Sequence, residues 1–104
     1  MNIELLREHL AIKTMGAKVI EGRKHKIYDF PSGELIYASL WWKPDKYDDQ
    51  AKECLKTFAV GWCVKTYRDN NYSCRIGSHE PVIDKSELMA ISLACARATG
   101  WKDE

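Results

Sequence analysis

The sequence predicts an α+β domain: a three-layer α/β/α sandwich on a four-stranded, mainly antiparallel sheet, with elements in the order α-ββ-α-ββ-α. Three observations lead there. The segment Asp84 to Trp101 reads as a helix apolar on two opposite sides. At about 100° per residue, Leu88, Ile91, Cys95 and Ala98 form one stripe, and Met89, Leu93 and Ala96 form another. Such a helix wants two packing partners. Two earlier stretches switch to a strand-like period around turn-forming residues, and between them lies a helix with one apolar stripe, suited to an outer layer.

Each element has its own signals. Asn2 can cap a first helix from Ile3 to Met15, with Glu4 and Glu8 toward its positive end, Lys13 in its last turn and Gly16 as its stop. Ile3, Leu6 and Leu10 share one side of it; Leu5 and Ile12 fall on another, so it too is expected between two neighbours. Lys24 to Phe30 and Leu35 to Trp42 flank Phe30-Pro31-Ser32-Gly33, whose proline and glycine supply turn geometry, and so predict a hairpin. Both alternate sets of Leu35 to Trp42 are largely apolar, the mark of a central strand covered on both faces. Ala17 to Ile20 reads as a short strand or a connection.

Pro44 then interrupts, and Asp45 is placed to cap a second helix reaching Phe58, with Tyr47, Ala51, Cys54, Leu55 and Phe58 on its buried stripe. A second hairpin, Ala59 to Arg68 and Tyr72 to Ile76, is expected around Asp69-Asn70-Asn71, with Asn71 left-handed. That loop would set Arg68 opposite Tyr72, Thr66 opposite Cys74 and Val64 opposite Ile76. It would put Trp62, Val64, Cys74 and Ile76 on one face and Lys65, Tyr67, Ser73 and Arg75 on the other. Cys63 would then oppose Gly77, arguing against a Cys63–Cys74 bridge. Neither repeats nor low-complexity linkers interrupt the chain.

Composition bounds the function. At 104 residues the chain fits one domain. With 16 Lys+Arg against 15 Asp+Glu its formal charge is +1, so no global field draws it to nucleic acid or anionic membrane. No apolar run approaches the roughly 20 residues of a membrane span. The N-terminus carries Glu4 and Glu8 where a secretion signal would have an apolar core. A cytoplasmic location follows as the expectation. Cys54, Cys63, Cys74 and Cys95 include no C-x-x-C pair, and Cys54 and Cys95 fall on apolar helix stripes, so buried free thiols are expected. His9, His25 and His79 lie near no cysteine in sequence, and no metal site or cofactor is expected.

With this layout the chain resembles the phage ABA sandwich domain family of bacteriophages and prophages. The matching features run through most of its length: a first helix ending in Met15-Gly16; Trp42-Lys43-Pro44 leading into a helix that bears Ala51; a Gly61-Trp62-Cys63-Val64 strand paired with one carrying Tyr72 and Cys74; and a last helix reading Leu88-Met89-Ala90-Ile91-Ser92-Leu93-Ala94-Cys95-Ala96 and ending at Gly100. Where the family commonly has an aromatic residue after the Met-Gly pair, this chain has Ala17. These are core and turn positions. The resemblance implies a fold, a phage origin, a location in the host cytoplasm and the role of a small accessory protein; it brings no active site.

The residue types for catalysis are present without a constellation. His79-Glu80 lies in the loop Gly77-Ser78-His79-Glu80-Pro81, which reads as turn chemistry more readily than as a base with its acid. There is no phosphate loop, nucleophile elbow or H-E-x-x-H. Asp45, Asp48 and Asp49 suit a helix start better than a cation. A non-enzymatic protein binder is therefore expected, with a host protein as partner and host defence or a host enzyme as its target. The candidate binding residues are the basic run Arg23, Lys24, His25 and Lys26, together with Lys65, Tyr67 and Arg75. Of Trp41 and Trp42, one is expected in the core and the other under the second helix or exposed as an interface anchor. The rival reading is a nucleic-acid binder that stacks bases on Tyr28, Tyr67 and a free tryptophan, with near-neutral charge against it. The sequence leaves a homodimer open.

Overall fold

The computed structural model describes residues 1–66 and 69–102, and it opens with the helix that Asn2 caps. The Asn2 side-chain oxygen accepts from the amides of Glu4 (3.0 Å) and Leu5 (3.2 Å) and starts α1, Ile3–His9. The helix widens into a π-helical turn at Leu10–Thr14 and stops at Gly16, whose φ of +73° lets the Ala17 amide reach back to the Ala11 carbonyl at 2.9 Å. Leu6, Leu10 and Ala11 are buried, but Leu5 is exposed. Its side of the helix therefore lacks the second neighbour that the sequence suggests.

Three strands follow, β1 (Lys18–Glu21), β2 (Lys26–Asp29) and β3 (Leu35–Tyr37), forming an antiparallel sheet in that order. The expected turn closes the β2–β3 hairpin: Gly33 takes a φ of +90° and donates to the Phe30 carbonyl at 2.8 Å. The expected strand from Leu35 to Trp42 is cut short. After Tyr37 the chain makes a single helical turn, α2 (Ala38–Trp41). The cause is tertiary. The Trp42 indole is buried against Phe30, with ring centroids 4.9 Å apart, and donates to the Arg7 carbonyl at 2.7 Å. The Gln50 side chain clamps the Lys43 amide and the Trp41 carbonyl.

The second long helix, α3, spans Asp48–Lys56 and is preceded by Tyr47 at the cap position, two residues beyond the Asp45 cap expected. Asp45 instead receives two hydrogen bonds from Arg7, Nε to Oδ1 at 2.7 Å and Nη2 to Oδ2 at 2.9 Å, tying α1 to the segment before α3. Ala51 and Cys54 are buried and Leu55 and Phe58 half-buried, as the spacing implies, while Tyr47 reaches the surface.

The remaining strands, β4 (Gly61–Lys65), β5 (Tyr72–Ile76) and β6 (Val82–Asp84), make a second antiparallel sheet in that order. The strand β6 was not expected, and the β4–β5 register differs from expectation by three residues. Gly61 pairs with Ile76, Trp62 with Arg75, Cys63 with Cys74 and Lys65 with Tyr72. The loop is longer than three residues. Thr66 donates from its amide to the Asn71 carbonyl (2.7 Å) and from its hydroxyl to Asp69 (2.8 Å), and Asn70, not Asn71, is left-handed with φ +56°. An odd slip exchanges the two faces of a strand pair. Cys63 now shares a face with Cys74, and Lys65 and Arg75 fall on opposite faces instead of opposite each other. The expected Arg68–Tyr72 pairing lies outside the described residues.

The last helix, α4 (Glu87–Ala98), matches its expectation best. Ser86 caps it by accepting from the Met89 amide at 3.2 Å, and Gly100 ends it at φ +98°. Residues 90–96 are all buried, including Ile91 and Cys95 of one stripe and Leu93 and Ala96 of the other. The helix packs on β5 and β6, on α3 and on the π-helical turn, so both stripes have partners. The fold is α+β, with the strands divided into two three-stranded sheets in place of one four-stranded sheet. The second sheet turns Cys74, Ile76 and Val82 toward α4, and leaves Trp62, Val64 and Ile83 exposed on its far face, where a third layer would have lain. No helix among the described residues is long and apolar enough to cross a membrane.

All four cysteines are free. Burial pushes the Cys54 and Cys74 thiols up to about 12 and raises Cys95 and Cys63 as well, so none is a ready thiolate at neutral pH. Cys63 and Cys74 stand directly opposite each other across the β4–β5 ladder.

Candidate docking surface

Arg23, Lys24 and His25 form the bend between β1 and β2, and Lys26 opens β2 opposite Glu21, on the same face as Tyr28. The His25 carbonyl closes against Gly22 so tightly that a Cβ there would collide with it. The His25 ring is fixed from the side, with Nδ1 hydrogen-bonded to the Ser39 hydroxyl at 3.1 Å and its edge packed on Tyr37. Arg23, Lys24 and Lys26 are exposed, and none has an ion-pair partner among the described residues. Lys26 borders a recess of about 250 Å³ with Glu4, Glu8 and Tyr28.

The first sheet has two unlike faces. The ladder aligns Val19, Tyr28 and Ile36 on the inner face, where Tyr28 is buried. On the outer face it aligns Ile20, Ile27 and Tyr37 in one row, and Lys18, Asp29 and Leu35 in the next. Ile20 is 44%, Tyr37 48% and Leu35 61% exposed, so this outer face is apolar, wet and flanked by the basic bend. Trp41 projects from α2 nearby at 59% exposure, while Trp42 is buried, which divides the tryptophan pair between surface and core as expected.

A groove runs between β3 and α3. One part, about 340 Å³, has Met15, Phe30 and Trp42 in its walls; the other, about 440 Å³, has Tyr37, Trp41 and Tyr47. Glu34, Ile36, Asp49 and Gln50 line both parts, and Glu53 adds a third carboxylate to the first. Among the described residues, no lysine or arginine borders either part. The sequence reading missed this groove because its residues come from the end of the π-helical turn, the Phe30–Gly33 turn, β3 and α3. The buried Trp42, packed on Phe30, and the Gln50 clamp on Trp41 and Lys43 bring those segments together.

No family model, curated protein or solved structure matches this chain.

The other expected binding residues are dispersed. Lys65 lies over the Tyr72 ring at 6.0 Å from its centroid, on the α4 side of the second sheet. Arg75 lies on the opposite face beside Trp62 and donates to the Gly77 carbonyl at 3.2 Å. Tyr67 lies outside the described residues. The structure thus gathers Arg23, Lys24, His25 and Lys26 at one bend and leaves Lys65 and Arg75 apart from them and from each other. His79 and Glu80 are both exposed in their turn. Asp45 is engaged by Arg7, and Asp48 pairs with Lys52 at 3.4 Å. Among the described residues, no three acidic, histidine or cysteine side chains converge as a metal site.

Proposed function

We propose that this chain is a small, non-enzymatic phage accessory protein that docks on a host protein through the outer face of its first sheet. The observation that carries the reading is the exposure of Ile20, Leu35 and Tyr37 together on that face, bordered by the bend charges of Arg23 and Lys24, which have no ion-pair partner among the described residues. An apolar centre with a charged rim is the anatomy of a protein interface, and rim charges of one sign steer an acidic partner. The phage origin rests on the family resemblance in the helices and in the Gly61–Val64 strand. Inhibition of a host defence system, or modulation of a host enzyme, is the role such a protein fills in the host cytoplasm.

Affinity capture from host lysate, with nuclease present, tests the reading. Charge reversal at Arg23, Lys24 and Lys26 is expected to weaken capture and slow association while the melting temperature stays unchanged, and Ile20→Asp is expected to abolish capture. The nucleic-acid alternative has its own signature. A shift of DNA or RNA at micromolar protein and physiological salt, lost on the same reversals, would replace the protein partner with a phosphate backbone. If neither class of binding responds to the reversals, the bend is a solvated turn.

A further inference from the structure

We infer that the groove between β3 and α3 receives an extended, positively charged segment of the partner protein, which pairs its backbone along β3 and lodges a lysine or arginine side chain in the pocket beneath. This rests on the protein-binding reading and names the chemistry of the bound segment.

Three independent features of the groove converge on that occupant. The first is a free strand edge. Among the described residues, β3 pairs only with β2 in its sheet. The hydrogen bond from the Phe30 amide to the Glu34 carbonyl, 3.0 Å, fixes the alternation of the ladder. Tyr28 and Ile36 therefore exchange backbone bonds, and the N–H and C=O of Leu35 turn outward. Four successive residues, Glu34 to Tyr37, border the groove. Since neighbours in a strand point to opposite faces, their joint presence means that the strand's edge faces the opening. An exposed edge with side-chain pockets beside it is the arrangement that captures extended peptides by strand addition.

The second feature is the pocket wall. Met15, Phe30 and Trp42 give an apolar lining matched to the aliphatic stem of a long basic side chain, whose charged end would stay at the rim. Charge is the third. Glu34 and Asp49 stand where the two parts of the groove meet, and neither has an ion-pair partner among the described residues. Glu53 shares its charge with Lys56 at 3.3 Å. At the open end, Tyr37, Trp41 and Tyr47 offer ring faces that attract cations. A small free cation would use the pocket and the rings but would leave the outward backbone groups of Leu35 to water. A cationic strand uses all three features.

The test is a chemical-shift titration of the intact, isotope-labelled protein with three probes: acetyl-Thr-Val-Arg-Val-Thr-amide, the same peptide with glutamine for arginine, and arginine amide alone. The arginine peptide is expected to shift the Leu35 and Tyr37 amides saturably and to bind at least about tenfold more tightly than the glutamine peptide, a difference of about 1.4 kcal/mol. The variant E34Q/D49N is expected to erase that preference. Both carboxylates are exposed and Asp49 also favours the first turn of α3, so the variant should stay folded with a melting temperature lowered by no more than a few degrees. Equal affinity of the two peptides, absence of any shift at millimolar peptide, or equal shifts from arginine amide alone would each overturn the inference. Its failure is distinguishable from that of the docking reading. Loss of capture in Ile20→Asp or the basic-bend reversals, with no peptide shift, would overturn the groove inference only. Peptide binding in the groove, with capture indifferent to those changes, would overturn the outer-face reading only.

Discussion

The Arg7–Asp45 pair is the strongest single link between the first helix and the segment leading into α3, and Arg7→Met is the variant that isolates it. Methionine keeps an unbranched stem and removes the guanidinium, leaving the backbone carbonyl that accepts from Trp42 in place. What remains is the Asp45 carboxylate, 5% exposed, with both charge-assisted bonds gone. Orphaning one member of a buried pair costs about 3–5 kcal/mol. The Arg7 side chain is 17% exposed and partly screened, so the low end, about 3 kcal/mol, is expected. For a domain of this size each kcal/mol moves the melting temperature by about 4–8 °C, giving a drop of roughly 12–24 °C. The double variant R7M/D45L, which removes both charges, should regain at least half the loss.

The pH dependence supplies a second readout. Burial pushes the Asp45 carboxyl up, but the bonds and charge of Arg7 outweigh it and hold the folded value below the ordinary carboxylate range. On acidification the unfolded chain therefore takes up the proton first. The stabilisation is fully present above the ordinary carboxylate range and is lost as pH falls through the lowered folded value. Without Arg7 the raising effect of burial is opposed only by the Asp45 backbone amide and the charge of Lys46, so the deficit of Arg7→Met should be full at neutral pH and shrink in acid. Urea denaturation across that range measures both. A loss below about 1 kcal/mol, the worth of a surface pair, or a deficit independent of pH, would refute the buried-pair account.

Three further expectations follow from the same structure. Gly61→Ala should cost no more than about 1 kcal/mol in chemical denaturation, because its Cβ would stand 2.9 Å from Leu55 Cδ1 and 3.0 Å from Ile76 Cδ1, both terminal methyls that can shift; a loss of about 3 kcal/mol or more would mean that the two side chains are held rigidly there. Thiol titration should count four free cysteines in denaturant and find the native thiols slow to alkylate at neutral pH, with Cys63 first because it alone is not fully buried; fewer than four would indicate a bridge. His9 is held neutral chiefly by burial, so its folded value is lowered and its contribution, present above the ordinary histidine range, should be lost as pH falls through that lowered value; stability indifferent to His9→Gln across this range would remove that assignment.

The sequence by itself determined the elements whose cause is local. The Asn2 cap, the Gly16 and Gly100 stops and the Gly33 turn each depend on the backbone needs of one or two residues, and each stands where those residues put it. The two stripes of α4 determined that it would lie between partners, because no rotation of that helix could bury both stripes against a single neighbour. The sequence also marked the basic run and the division of Trp41 from Trp42. Tertiary structure decided what no local preference could. Both faces of the β4–β5 pair carry apolar side chains, so alternation did not select a register; the Thr66–Asn71 closure and the packing of Cys74, Ile76 and Val82 under α4 did. The segment after Tyr37 had strand-like composition but was drawn into a helical turn by the Trp42 anchor, and this divided the strands into two sheets. The groove beside β3 is held by that anchor together with the Gln50 clamp from α3. Its carboxylates and rings come from segments far apart in the chain, so their convergence could not be read from the sequence.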